Sequence, residues 1–347
     1  MTQALEHGGP LRGVVGLGIL LLGCHGSDAG TDTPVTDAAT DTSTDTAVST
    51  DSATDGASEA EALPPLPATS TSDFQAWLEK EGLGKEDFVR AGKGGSFGGR
   101  LVAGEVVDRA PIVFVHGNSD AAVGRDGTFT GWDAARRHFL AAGFPSNALY
   151  GITWGPADAS KAGDQVHERV VLTRLRTFFD AVKRYTGRPK ITVIAHSMGV
   201  TLSRKAIEGG KGEDPAGAYD LGAGLAAQID TFVGIAGANL GLTACYSATD
   251  QPTCDKRWGF YPGADASAGP STLLAAMAAT PHDEGAYVFS VCSKDDELLG
   301  FDGIVWGKST CAIPGADRDV RVDGLGHVAQ KDATGTTLEH LVVTHAP

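Results

Sequence analysis

From residue 111 onward, short runs rich in β-branched and aromatic residues alternate with longer stretches whose apolar positions fall three and four apart. The runs at 111–115, 149–154, 191–194, 229–235, 287–292 and 320–322 read as strands, and several are apolar throughout, as in a parallel sheet covered on both faces. Between them, 132–144, 165–185, 200–207 and 336–343 read as helices. The second has Val166, Val170, Leu175, Phe178, Phe179 and Val182 on or near one face. His167 is expected on that helix as a surface residue, and Trp132 and His138 in ordinary helix packing. This alternation predicts an α/β fold with a mostly parallel, doubly wound sheet. The stretch 239–283 breaks the rhythm. It sets Trp258, Phe260 and Tyr261 among Gly and Pro, holds a short helix at 271–279, and falls between two strands, which predicts a lid-like insertion. Residues 74–83 read as helix, but 72–107 cannot be placed against the sheet from the pattern alone.

The first 70 residues are patterned differently. Residues 13–23 are apolar and end in Leu21-Leu22-Gly23-Cys24, a stretch too short for a membrane span and of the length of a signal h-region. It resembles the lipobox of a bacterial lipoprotein, which makes 1–23 a signal peptide and Cys24 the lipidated first residue. A plain secretory signal is the alternative. Residues 24–70 are dominated by Thr, Asp, Ala and Ser and lack the apolar surface needed to offset ordering entropy, so they are expected to form a disordered acidic tether. The α/β domain is then expected to span 71–347. The tether supplies much of the net charge of −15. That charge therefore says little about the domain's partners, although the absence of a basic stripe argues against nucleic acid.

The sharpest chemical signal is Ala195-His196-Ser197-Met198-Gly199, between the strand at 191–194 and the helix at 200–207. A serine at a tight strand-to-helix turn, flanked by small residues, is the pattern of a nucleophile elbow. Serine needs a histidine base and a carboxylate to hold that base in one tautomer. The strand at 287–292 runs into Ser293-Lys294-Asp295-Asp296-Glu297-Leu298-Leu299, which places carboxylates at the carboxyl end of a strand. Asp296 is favoured because the apolar residues after it let the loop tuck back, and Asp295 stays open. Downstream, His327 in Gly324-Leu325-Gly326-His327 is presented by a glycine-flexed loop, whereas His340 falls within a helical pattern and His345 in a frayed tail. Two backbone amides are expected to hold the oxyanion, those of Asn118, in the loop after the strand at 111–115, and of Met198.

Val115-His116-Gly117-Asn118, Ala195-His196-Ser197-Met198-Gly199-Val200 and Gly324-Leu325-Gly326-His327 together resemble the class 2 bacterial lipases. They resemble the lipase-like extracellular polyhydroxybutyrate depolymerases more closely still, a likeness that extends over roughly 108–345 and includes Lys183-Arg184-Tyr185-Thr186-Gly187 and Ala236-Gly237-Ala238-Asn239-Leu240-Gly241-Leu242. The resemblance implies an α/β-hydrolase fold, ester hydrolysis without cofactor or metal, and Ser197, Asp295 or Asp296, and His327 as the triad. A short-chain polyester is the implied substrate and a triacylglycerol the competitor. A monomer is expected, touching membrane only through a lipid anchor at Cys24. Two other readings compete: a transacylase, and a non-catalytic, surface-anchored polymer-binding lipoprotein on a hydrolase scaffold.

Setting Cys24 aside leaves Cys245, Cys254, Cys292 and Cys311, an even number, as an exported domain with two disulfides would carry. Proximity favours Cys245 with Cys254 and Cys292 with Cys311. No Cys-x-x-Cys pair supports a zinc site.

Overall fold

A computed structural model of the chain describes residues 66–125 and 129–346. The signal-like segment, Cys24 and the tether through residue 65 lie outside the described residues. In chain order the elements are α1 (Ser72–Lys80), β1 (Ser96–Phe97), β2 (Ile112–Val115), α2 (Asp133–Ala141), β3 (Leu149–Ile152), α3 (Arg169–Thr186), β4 (Ile191–His196), α4 (Met198–Glu208), β5 (Lys211–Asp214), β6 (Gly217–Asp220), β7 (Ile229–Ile235), α5 (Thr272–Ala278), β8 (Tyr287–Cys292), β9 (Ile304–Val305), β10 (Lys308–Ser309), β11 (Arg318–Arg321), α6 (His327–Asp332) and α7 (Gly335–Thr344). Seven strands lie side by side in the order β1, β3, β2, β4, β7, β8, β11. All neighbours are parallel except β1, which pairs antiparallel with β3.

The continuous apolar runs follow from two buried faces. On β2 and β4, Val113, Val115, Val193 and Ala195 enter a core shared with α3 and α4, while Ile112, Phe114 and Ile194 point the other way, into a core shared with α2 and α7. Neighbouring residues on one strand thus serve opposite layers, and both faces are buried.

Helix α3 presents Leu172, Leu175, Phe178, Phe179 and Val182 to the first core and ends at Gly187, whose φ of 69° provides the left-handed cap. Two expectations are corrected here. Val170 is 57% exposed, because the buried stripe passes through its neighbour Val171. His167 precedes the helix and is fully buried: its ring bridges the Trp258 carbonyl and the Thr201 hydroxyl, at 2.9 and 2.8 Å. The chain ahead of β2 also finds its place. Thr71 caps α1 by accepting from the Phe74 amide, Phe74 packs on Tyr150 and Tyr185, and β1 extends the sheet edge. His345, far from fraying, stacks on Tyr287 with 3.9 Å between ring centroids.

Both disulfides join the cysteines that are closest in sequence, Cys245 with Cys254 and Cys292 with Cys311. The first lies inside the segment between β7 and β8. That segment buries Phe260, Leu273, Leu274 and Met277 in the first core and is fastened to α4 through Arg204. Arg204 is buried, pairs with Glu284 at 2.7 Å, and donates to Asn239 Oδ1 and the Met277 carbonyl.

Candidate active site

Strand β4 runs straight into α4 through Ser197, whose φ of 55° and ψ of −128° lie outside the ranges ordinary for a non-glycine residue. The turn is held because its neighbours are small. A Cβ on Gly199 would lie 2.6 Å from the Val115 carbonyl and would also strike that of His116, so only glycine lets α4 pass this close to the loop after β2. On the other flank Ala195 is fully buried between β2 and β7. The Ser197 amide donates to the Ile235 carbonyl at 2.8 Å, tying the apex to β7.

His327 reaches this apex from 130 residues downstream. It opens α6, where a loop position was expected, and Gly326 is the cap. Its carbonyl accepts from His196 Nε2 at 3.0 Å, and the two imidazoles pack 4.7 Å apart. His327 therefore lies beside the residue that immediately precedes Ser197. Its Nδ1 donates to Asp296, 2.8 Å from Oδ2 and 3.0 Å from Oδ1, and both side chains are buried. Nε2 has no partner among the described residues, and neither has the Ser197 hydroxyl. The bond between Asp296 and His327 is formed, whereas no hydrogen bond joins His327 Nε2 to the Ser197 hydroxyl.

Of the two aspartates left open by the sequence, Asp296 is the one that meets the imidazole. Asp295 faces solvent and accepts instead from the Gly324 amide at 2.6 Å. Burial, the largest influence on Asp296, would raise its carboxyl, but hydrogen bonds and charge from His327, the Leu299 amide and Gln330 prevail and hold it below the ordinary value. It is thus kept ionised beside the His327 ring. Gln330, one turn along α6 and fully buried, reaches Asp296 Oδ2 at 2.7 Å. Gln330 was not legible in the sequence, because its place three residues after His327 matters only once α6 begins at that histidine.

The loop after β2 abuts the serine: a Cβ on Gly117 would lie 2.9 Å from Ser197 Cβ. Here His116 is fixed from both sides. Its Nε2 accepts from the Trp154 amide at 3.1 Å, so Nδ1 carries the proton and donates to the Gly117 carbonyl at 2.6 Å. That second bond orients the peptide whose N–H belongs to Asn118. The Asn118 amide takes no partner among the described residues, and the Met198 amide, at the start of α4, is one that its helix leaves unused. Burial pushes His116 down to about 4, and it holds the neighbouring His196 well below its ordinary value, so both stay neutral.

Trp258 and Phe260 do not serve as exposed substrate contacts. Both are buried, Trp258 beneath the Arg257 guanidinium and Phe260 edge-on to His167, because the segment folds onto the core and not away from it. Tyr261 is half-buried under Lys256. Two aromatics that do face solvent, Tyr246, 53% exposed, and Trp306, 41% exposed, meet edge to face at 5.9 Å.

The model of the family described as lipase (class 2) matches residues 109–340, two thirds of the chain. The chain belongs to the class 2 lipases. With that membership and the parallel sheet described above, it is a carboxylic ester hydrolase with the α/β-hydrolase fold, and esters are its substrates. The matched span contains every residue of this site, from Asn118 to Gln330. Solved structures similar to this class 2 lipase include a Bacillus licheniformis lipase in mature form (16% identity, 72% of this chain and 98% of that one, TM-score 0.44). They also include Aspergillus fumigatus lipase B (10%, 66% and 47%, 0.43) and a Paleococcus ferrophilus monoacylglycerol lipase (12%, 72% and 98%, 0.42). Curated proteins gave no match.

Proposed function

We propose that this class 2 lipase cleaves esters through an acyl-enzyme on Ser197. His327 Nε2 takes the serine proton as Oγ attacks the carbonyl and later delivers it to the departing alcohol, while Asp296 holds the ring in the Nδ1-protonated tautomer and balances the imidazolium. The amides of Asn118 and Met198 receive the developing oxyanion. A water then repeats the sequence on the acyl-enzyme and releases the acid. The observation that carries this reading is the paired hold on His327, which Asp296 grips at Nδ1 while His196 ties its backbone to the elbow.

For the substrate we infer a short-chain polyester of the polyhydroxybutyrate kind, on the motif resemblance over 108–345 and on the exposed pair Tyr246 and Trp306, which offers apolar area to an insoluble surface. The enzyme is read as exported, in keeping with two disulfides, with Cys24 as its lipid attachment point. Ser197→Ala should abolish hydrolysis and fluorophosphonate labelling while keeping the thermal transition, and residual turnover in that variant would refute the acyl-enzyme. A panel of polyhydroxybutyrate film, tributyrin and long-chain triglyceride tests the substrate: faster release of soluble acid from the film supports the polyester, and preference for tributyrin overturns it.

A further inference from the structure

Three consecutive carboxylates on the loop after β8 each take a different atom of the segment that carries His327. Asp295 Oδ2 accepts from the Gly324 amide at 2.6 Å, Asp296 Oδ2 from His327 Nδ1 at 2.8 Å, and Glu297 Oε2 from the His327 amide at 2.9 Å. The grip is returned by Asp323, whose Oδ1 accepts from the Lys294 amide at 3.1 Å. His327 is consequently tied at its amide by Glu297, at its carbonyl by His196 and at Nδ1 by Asp296, and Nε2 alone is left without a partner among the described residues.

The Asp296 bond alone does not determine where Nε2 lies. A ring held at one nitrogen still pivots about that contact as the backbone beneath it shifts, and a displacement of an ångström at the reacting atom is enough to slow a proton transfer severely. Fixing the main chain of His327 removes this freedom. The neighbouring residue favours the contact: a Cβ on Gly326 would lie 2.7 Å from Glu297 Oε2, inside contact distance, so a side chain there would push the carboxylate aside from its place on the amide.

We propose that Glu297 is a positioning residue for the base, holding the His327 backbone while Asp296 holds its ring, and that residue 326 is glycine to admit that carboxylate. This rests on the reading of His327 as the base. Glu297 touches neither substrate nor reacting atom; it narrows the positions open to Nε2.

The test compares Glu297→Ala, Glu297→Gln and Gly326→Ala in the full chain, with kcat and KM measured on a soluble p-nitrophenyl ester. Glu297→Ala should lower kcat about tenfold with KM unchanged, since bound ester does not touch Glu297. Glu297→Gln should recover most of that loss, because its amide oxygen accepts from the same N–H. Gly326→Ala should reproduce the Glu297→Ala defect, and the double variant should be no worse than either. Wild-type kcat in Glu297→Ala, or equal impairment in Ala and Gln, would overturn the proposal. Should Glu297→Ala fail to fold, the contrast between Glu297→Gln and Gly326→Ala decides: activity kept in the first and lost in the second supports it, and any other pattern overturns it. Turnover surviving in Ser197→Ala would instead strike the acyl-enzyme reading itself, so the two failures are distinguishable.

Discussion

His196 Nε2 donates to the backbone carbonyl of His327 across 3.0 Å, joining residues 131 positions apart in the chain. The residue that precedes Ser197 thereby supports the main chain of His327. Because the acceptor is a carbonyl, the proton on His196 must sit at Nε2, and the bare Nδ1 has no hydrogen-bond partner among the described residues and faces Gly117. Burial keeps this second imidazole, next to His327, uncharged. It does not oppose the positive charge that the proposed mechanism places on His327.

Replacing Asp296 by asparagine should cost far more than replacing Asp295. An amide at 296 can still meet His327 but can donate to Nδ1, which favours the wrong tautomer, and in Ser-His-Asp enzymes generally that change lowers kcat by about 10⁴. Asp295 accepts only from the Gly324 amide at the surface, so Asp295→Asn should stay within about tenfold of wild type. Steady-state kinetics on one soluble ester checks both, and equal losses would mean the acid has been misassigned.

The contrast between these two aspartates shows how much the chain disclosed before folding. The elbow at Ser197, the candidate His327 and the strands along the chain were legible because strand, elbow and helix each leave a periodic trace, and because the small residues at 195 and 199 mark a tight turn. The preference for Asp296 rested on two apolar residues that follow it after one spacer, and of these Leu299 is buried while Leu298 is 43% exposed. What stayed hidden depended on where helices start. The apolar pattern ran on through Val166, so His167 read as helical surface when it is a buried strut, and a loop reading at His327 concealed Gln330 and Glu297. The burial of Trp258 and Phe260 was equally out of reach, because aromatic residues among glycines look alike whether they cover a core or face solvent.

Acid should destabilise the fold through its buried histidines. Burial lowers His116 and His167 from 6.5 to about 4 and His196 well below 6.5. The unfolded chain therefore binds more protons than the folded one between about pH 6.5 and 4, and stability falls as pH drops through that window, by a few kcal/mol for each such group at most. Thermal unfolding followed from pH 7.5 to 4 should show Tm dropping mainly below 6.5. His167→Asn, which keeps a donor for the Trp258 carbonyl, should flatten the drop; an unaltered slope would show that His167 does not contribute.

Opening Cys292–Cys311 should matter more to activity than opening Cys245–Cys254. Both loops are short, separations of 19 and 9, so the chain-entropy estimate gives each about 3 kcal/mol. The longer loop, however, contains Asp296 and Glu297, and its release loosens the carboxylates that hold His327. The paired serine variants Cys292→Ser/Cys311→Ser and Cys245→Ser/Cys254→Ser should show similar losses of Tm, with kcat on a soluble ester reduced chiefly in the first.

Arg204→Met should be among the most damaging substitutions outside the site. It fits the volume but strips Glu284 of its only charged partner among the described residues, in a pocket where both side chains are almost wholly buried and Glu284 Oε2 already lacks a hydrogen bond to any of them. Breaking such a pair from one side costs about 3–5 kcal/mol, because the remaining charge stays desolvated. The double variant Arg204→Met/Glu284→Leu removes both charges and should recover much of the loss. Urea unfolding of the three variants measures this, and a double variant as unstable as Arg204→Met alone would point to the Asn239 and Met277 contacts, and not the ion pair, as what Arg204 contributes.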